Sequence, residues 1–166
     1  MALSQGQFAE LIHEHAPALY RTAYRMMGNC HDAEDVVQET LRSAWTCRGR
    51  FEEGRCQRAW LATILRRRVI DRWRRVGRRM ILSGDGWLDA EANETDPVAD
   101  GFTDEMQRAL GGLPLELRES LLLVVVGELT HQETANVLGI PLGTVLSRVC
   151  RARERLRIEL RALAIR

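Results

Sequence analysis

Apolar residues recur every three or four positions through most of the chain, the spacing of helices that bury one face. The apolar positions between Phe8 and Met27 predict a first helix, which Gly28 ends. A second helix is expected to begin at Asp32, a favourable N-cap residue, and to end near Cys47. No strand alternation or hairpin signal is visible, so we expect an all-α fold.

A basic third helix and an acidic linker are predicted next. The polar stretch 48–55, RGRFEEGR, contains two glycines and is typical of a loop. From Gln57 the helical spacing resumes, with Trp60 and Leu65 on the apolar side and a row of arginines on the other side. Between residues 83 and 100 the chain is acidic and rich in turn formers, which indicates a flexible linker between two domains.

The second domain is predicted to contain four helices. A helix from Phe102 to Leu110 would be capped by Thr103 or Asp104, and Pro114 would open the next helix. The apolar run at 121–126 could also form a buried strand. We favour a helix, because proline and charged residues precede the run and no partner strand is visible.

Residues 128–156, ELTHQETANVLGIPLGTVLSRVCRARERL, have the pattern of a helix-turn-helix. Thr130 and Glu133 form a capping box at a helix start, and Gly139 can adopt the left-handed conformation that ends a helix. Pro141 suits the start of the second helix. The second helix has an apolar stripe that can pack on the preceding helices, formed by Val145, Val149, Ala152 and Leu156.

Four polar residues of this second helix are expected to face outward: Thr144, Ser147, Arg148 and Arg151. Hydroxyls can contact base edges or phosphates, and arginine matches the O6 and N7 acceptors of guanine in the major groove. The alternative is an ordinary solvated helix, since arginine near a helix C-terminus is favoured by the helix dipole alone.

Charge is distributed unevenly along the chain, although the net charge is only +1. Residues 42–79 carry +10 and residues 146–166 carry +5, whereas residues 80–119 carry −8. Two basic blocks separated by an acidic one suggest two surfaces that face nucleic acid. Every Lys or Arg position is arginine. Each basic contact can therefore be a planar bidentate one.

Cysteine spacing and hydropathy argue against several other classes of protein. The four cysteines are widely spaced without a C-x-x-C pair, which suggests neither a zinc site nor a thioredoxin-like motif. A redox or metal sensor built from cysteines and histidines is the alternative, but we expect no metal site and no cofactor. No apolar run approaches the roughly 20 residues of a membrane span, and the first residues do not resemble a signal peptide. A cytoplasmic protein without direct membrane insertion is expected.

Two segments resemble one family, the extracytoplasmic-function (group IV) RNA polymerase sigma factors. DAEDVVQETLRSAW at 32–45 is similar to the family's polymerase-docking helix. LPLELRESLLL at 113–123, followed by the helix-turn-helix, is similar to its upstream-promoter domain. The resemblance implies a region-two-like domain at 1–79, an acidic linker at 80–101 and a region-four-like domain at 102–166.

The resemblance also implies roles for particular residues. Core RNA polymerase would be bound by four residues that share one face of the second helix, Asp35, Gln38, Glu39 and Arg42. The downstream promoter element would be contacted by Arg48, Phe51, Arg66, Arg67, Arg72 and Arg75. Phe51 could stack on an extruded base or anchor its own loop, and we leave both possibilities open.

The chain departs from the family pattern at three places. Leu65-Arg66-Arg67 replaces the common Ala-Arg-Asn, which puts the usual base preference there in doubt. Leu146 replaces a common lysine in the recognition helix; it forgoes a phosphate contact but could touch a thymine methyl. Thr130-His131-Gln132 replaces Ser-Tyr-Glu, which conserves the capping function.

We therefore expect a sigma factor, not an enzyme, that directs core RNA polymerase to promoters and assists their opening. Its partners would be the polymerase and double-stranded and locally melted promoter DNA, with an anti-sigma factor as a further candidate partner. One alternative is a stand-alone helix-turn-helix regulator, or a sigma mimic that binds only an anti-sigma protein. Another is a Mg²⁺-dependent nuclease whose metal would be held by the carboxylates Asp32, Glu34, Asp35 and Glu39.

Overall fold

The protein is all-helical in this computed structural model, as the hydrophobic spacing predicted. The structure describes residues 3–52, 54–83 and 103–164, and side chains outside 3–52, 54–75 and 103–162 are not described. No strand occurs within these ranges. The described helices are α1 Gln5–Met27, α2 Cys30–Cys47, α3 Gln57–Ser83, α4 Asp104–Gly111, α5 Leu115–Val125, α6 His131–Leu138 and α7 Leu142–Ala164, with a short 3-10 turn at Arg48–Arg50.

The junction between α1 and α2 is tighter than expected. Gly28 has a φ of 71° and ends α1 in the left-handed conformation that glycine tolerates. Asn29 follows at once as the N-cap of α2, and its side chain accepts a hydrogen bond from the backbone N–H of Asp32. The prediction that Asp32 caps α2 is therefore wrong, because the helix already begins at Cys30.

The third helix continues beyond the expected end of the first domain. α3 extends to Ser83, four residues past the boundary expected at residue 79. The remainder of the predicted linker, 84–101, lies outside the described residues. Within the described part, Leu61, Leu65 and Val69 are fully buried at helical spacing against α1 and α2. Among the arginines of α3, Arg67, Arg74 and Arg75 are exposed, whereas Arg66, Arg68 and Arg72 are partly buried.

The second half begins with two helices at the predicted places. Thr103 is the N-cap of α4, and its side chain accepts from the backbone N–H of Met106. The apolar run around Leu122 forms a helix and not a strand, as the preceding Pro114 indicated. Leu121, Leu122 and Leu123 are all buried, because α5 packs against helices on several sides.

The two halves of the chain share one continuous apolar core. α1 packs against α4 and α5, and α3 packs against α6, so the two predicted domains are in direct contact. Leu11 and Leu65 of the first half and Leu110 and Leu123 of the second half belong to the same buried cluster. None of the described helices is long and apolar enough to cross a membrane.

Candidate nucleic-acid and polymerase interfaces

The helix-turn-helix is built as the capping pattern predicted. The backbone N–H of Glu133 donates to Thr130 Oγ1 over 3.1 Å, and the backbone N–H of Thr130 donates to Glu133 Oε2 over 2.8 Å. Gly139 ends α6 with a φ of 67°, and the N–H of Ile140 donates to the carbonyl of Ala135. These bonds fix the turn that separates α6 from α7.

The capping carboxylate of α6 is also tied to the first half of the chain. A hydrogen bond from the Cys56 thiol, followed by the backbone hydrogen bond at Thr130, lowers the pKa of Glu133 below its usual value. Cys56 lies in the segment just before α3. The start of the helix-turn-helix is therefore supported from both domains.

The recognition helix α7 buries its predicted apolar stripe. Val145 and Ala152 are fully buried, and Val149 and Leu156 are nearly so. Of the four residues predicted to face outward, Arg151 is exposed, whereas Thr144, Ser147 and Arg148 are partly buried. The Ser147 hydroxyl donates to the carbonyl of Thr144, and Arg148 lies 3.9 Å from a carboxylate oxygen of Glu116. The outward face is thus narrower than predicted.

Two exposed residues of α7 were not chosen from the sequence. Leu142 is 39% exposed and Cys150 is also exposed, and they lie four residues before and after Leu146, which is 48% exposed. The signal was present in the sequence as a spacing of four residues along the edge of the buried stripe.

The arginines of α3 are largely occupied by carboxylates of the same chain. Arg72 pairs with Asp32 and, over 3.3 Å, with Asp35. The hydrogen bond to Asp32 is the main reason that the pKa of Arg72 is raised. The remaining pairs on this surface are Arg66–Glu119, Arg68–Asp71 and Arg75–Glu39. The pairs of Arg66, Arg72 and Arg75 could not be predicted from the sequence, because such pairing depends on tertiary packing.

Arg67 is different from its neighbours on α3. Its side chain is exposed, and no carboxylate among the described residues lies within ion-pair distance of it. This is the position at which the family commonly carries an asparagine. Among the predicted downstream contacts on α3, Arg67 is therefore the cation that no carboxylate of the described residues neutralises.

The Arg66–Glu119 pair joins the two halves of the chain. Arg66 donates to Glu119 Oε2 over 3.3 Å, and its Nε lies 3.2 Å from Oε1. The side chain of Glu119 is only 4% exposed. Arg118 stacks over the ring of Trp73 at 5.7 Å, and burial lowers the pKa of its guanidinium. The pair is therefore part of a desolvated ionic cluster.

A second junction between the halves is centred on Glu128. Its carboxylate lies 3.2 Å from Arg58 and 3.8 Å from Arg21, and Arg58 also donates to its backbone carbonyl. Glu128 has a φ of 54°, which is uncommon for a residue with a side chain. Neither Glu119 nor Glu128 was recognised from the sequence, because their partners are more than 50 residues away.

The loop before α3 is held by aromatic contacts. Phe51 is 7% exposed and packs edge-on against Trp60, with ring centroids 5.1 Å apart. This burial favours the alternative in which Phe51 anchors its own loop. Arg48 stacks over the ring of Trp45 at 3.8 Å and donates to its backbone carbonyl.

The predicted polymerase-binding residues share the solvent side of α2. Asp35, Gln38 and Arg42 are exposed and Glu39 is partly exposed, while Val36 and Thr40 on the other side are buried. Two of the four, Asp35 and Glu39, already face arginines of α3. In the described part of the chain no group of three or more His, Cys, Asp or Glu side chains could hold a metal ion.

Comparison with known families identifies the class of protein. The family described as Sigma-70 region 2 matches residues 11–79, and the family described as Sigma-70, region 4 matches residues 103–156. SigW of Bacillus subtilis, an ECF RNA polymerase sigma factor, is 33% identical over 96% of this chain and 91% of its own length. The chain belongs to the ECF RNA polymerase sigma factors.

Further relatives agree with this assignment. SigE of Mycolicibacterium smegmatis is 35% identical over 89% of this chain, which spans 59% of the length of SigE. The sigma factor RpoE of Bartonella quintana, solved with the anti-sigma factor NepR, has a TM-score of 0.83 at 32% identity over 93% of this chain and 96% of its own. CnrH, solved with the cytosolic domain of CnrY, has a TM-score of 0.70 at 29% identity, covering 96% of this chain and 90% of its own.

Proposed function

We propose that this chain binds core RNA polymerase through α2 and holds promoter DNA at two places, through the α3 surface and through α7. As an ECF sigma factor it is a promoter-directing initiation factor. It is not itself an enzyme. It acts in the cytoplasm, where the polymerase binds the chromosome. The observation that carries the proposal is the order of two matched sigma regions, each with an exposed charged face in the described structure.

The polymerase contact is proposed at the exposed side of α2. Asp35, Gln38 and Glu39 offer acceptors to a basic partner, and Arg42 extends the same face by one turn. A basic surface of the polymerase would compete with Arg72 for Asp35 and with Arg75 for Glu39. Such a competition would release both arginines for DNA.

Charge reversal tests this contact. Asp35→Arg combined with Glu39→Arg should weaken association with core polymerase by tenfold or more, roughly the loss expected for close interfacial charge pairs. Glu14→Arg is the matched control, because Glu14 is exposed on α1 and does not belong to the proposed face of α2. Helical circular dichroism would check folding. If the double variant associated with core polymerase as tightly as the wild-type chain, this face would not be a polymerase contact.

The downstream promoter element is assigned to the α3 surface. An arginine-lined surface can follow the backbone of a single strand, and the adjoining loop can approach an extruded base. Arg67 is the first contact, because it is exposed. Arg66, Arg72 and Arg75 would join after leaving their carboxylates, and Arg48 would contribute from the loop. Phe51 would support the loop from beneath.

The upstream element is assigned to α7 lying in the major groove, the usual position of the second helix of this motif. Arg151 is best placed to reach a base edge, and Thr144, Ser147 and Arg148 border it. An anti-sigma protein is the further partner proposed, since RpoE was solved with the anti-sigma factor NepR. The chain needs no cofactor for any of these contacts.

Reconstituted transcription tests the whole proposal. Core RNA polymerase would be mixed with the full chain and a library of templates carrying randomised promoter regions. We expect a defined subset of templates to be transcribed, and only when the chain is present. Binding of DNA by the chain without transcription from any template would favour the stand-alone regulator.

A further inference from the structure

An exposed apolar row runs along the outward side of the recognition helix. Leu142, Leu146 and Cys150 are all exposed and lie four residues apart, so they are neighbours on one helix surface. The row borders the buried stripe of α7, where Val145 and Val149 have almost no exposed surface. The row is therefore extra apolar surface that the fold of the described residues does not use.

The surroundings of the row indicate what covers it. It is one side chain wide. Ser147 and Arg151 lie beside it, and Arg153 continues the same helix face about one turn beyond Cys150; both arginines are exposed. A protein partner is usually bound through a broader apolar patch with few charges. A narrow apolar strip beside arginines instead matches the major groove, where isolated methyl groups lie among acceptors and phosphates.

We propose that this row reads the 5-methyl groups of thymines in the upstream promoter element, with Leu146 as the central residue. The inference rests on the proposed function, because it requires α7 to enter the major groove. Contact between an apolar side chain and the thymine methyl distinguishes thymine from the other bases. Leu146 thereby determines base preference at a position where the family commonly carries a cation.

Helix and DNA dimensions give the expected spacing of the thymines. Four residues of helix span about 6 Å along the axis. Successive base pairs are about 3.4 Å apart. Leu142 and Leu146, or Leu146 and Cys150, are therefore expected to reach methyl groups roughly two base-pair steps apart.

Replacing thymine by uracil removes only the methyl group and tests the proposal. The preferred upstream element would be selected from a random library with the chain in holoenzyme, and each thymine would then be replaced by uracil. We expect affinity to fall roughly fourfold at one or two of these positions, the factor for one buried methyl-sized group. Leu146→Ala should abolish that uracil effect at its own position.

Two further variants sharpen the test. Leu146→Lys restores the residue common in the family and should bind the element while no longer distinguishing thymine from uracil. Ile158→Ala is the matched control, because Ile158 is an exposed apolar residue of α7 lying 12 residues, or about 18 Å, further along the helix. This control should retain the full uracil effect.

Four outcomes would overturn the inference. They are a selected element without thymine, a uracil substitution that is neutral at every thymine, uracil effects that persist at every position in Leu146→Ala, and a loss of these effects in Ile158→Ala. If the chain supports transcription from the selected promoters but gives any of these results, the reading of thymine methyl groups is contradicted and the proposed function is not. Failure to transcribe any template contradicts the proposed function, and this inference with it.

Discussion

The two arginine-rich surfaces of this chain differ in what their charges contact. On α3, Arg66, Arg72 and Arg75 are each paired with a carboxylate from another helix. On α7, Arg151 and Arg153 are exposed, and no carboxylate in the described part of the chain lies within ion-pair distance of them. Arg151 and Arg153 of α7 are thus open, whereas on α3 the predicted DNA contacts other than Arg67 are neutralised by carboxylates of the chain.

This difference matters for how DNA can bind. Exposed ion pairs contribute only about 0–1 kcal/mol each, so phosphates can replace the carboxylates near Arg75 at little cost. The pair between Arg66 and Glu119 is different, because Glu119 is buried and cannot simply return to water. Use of Arg66 by DNA would therefore require the two halves of the chain to move apart.

The largest expected effect comes from breaking this buried pair. Arg66→Ala should lower the free energy of unfolding by about 3 kcal/mol, the low end for a broken buried pair, since Arg118 still faces Glu119 and Arg66 is partly exposed. Urea unfolding measures the change. Arg67→Ala is the matched control and should change stability by less than about 0.5 kcal/mol. Equal effects of the two substitutions would remove the distinction between paired and open arginines.

The next effect concerns the open surface of α7. Arg151→Ala should cost about 1–3 kcal/mol of binding to the selected upstream element if Arg151 contacts a base. Stability should hardly change, because the side chain is exposed. Arg157→Ala, further along α7 and paired with Glu154, is the control and should leave binding nearly unaltered. Titration of labelled duplex with holoenzyme at fixed salt gives both numbers, and an unchanged preference in Arg151→Ala would discard this role.

Replacing each of two glycines near the turn by alanine should change the stability of the chain in opposite directions. Gly139→Ala should destabilise the chain by about 1 kcal/mol, because alanine is strained at a φ of 67°. Gly143→Ala should stabilise it by about 0.5 kcal/mol, since Gly143 is helical and an added Cβ meets nothing within 4 Å. Thermal unfolding of both variants would reveal the sign. If both alanine substitutions destabilised the chain, the left-handed backbone at Gly139 would not explain the effect of Gly139→Ala.

The smallest expected effect is the pH dependence of the capping box. Because the pKa of Glu133 is lowered in the folded state, its contribution is fully present above the unfolded pKa, about 4.3. That contribution should disappear as the pH falls through the lower folded pKa. The difference in midpoint of thermal unfolding between the wild-type chain and Glu133→Gln should thus stay constant from pH 8 to about pH 6 and shrink below about pH 4.5. A difference that instead grew on acidification would refute the assignment.

The comparison also explains which features could be predicted from the sequence. The α6 capping box and the stripe containing Val145 follow from local spacing, and local hydrogen bonds and burial determine both. The N-cap of α2 is Asn29 and not the predicted Asp32, because Gly28 ends α1 in a tight turn. The spacing of apolar residues does not reveal how tight that turn is. These differences moved a helix boundary but not the identity of any helix.

The pairing of the α3 surface could not be predicted in the same way. Glu119 lies 53 residues from Arg66, and Asp32 lies 40 residues from Arg72, so their meeting depends on how α3 packs against other helices. Charge counting correctly identified a basic segment, but it could not reveal how many of those charges the chain itself neutralises.

Transcription from three templates tests directly whether α3 and α7 recognise separate promoter elements. These are a selected promoter, a copy altered in the upstream element and a copy altered in the downstream element, each transcribed by core polymerase with wild-type chain, Arg151→Ala or Arg67→Ala. We predict that wild-type activity falls on both altered templates, that Arg151→Ala becomes insensitive only to the upstream change, and that Arg67→Ala becomes insensitive only to the downstream one. Equal sensitivity of both variants to both changes would contradict the two-surface account.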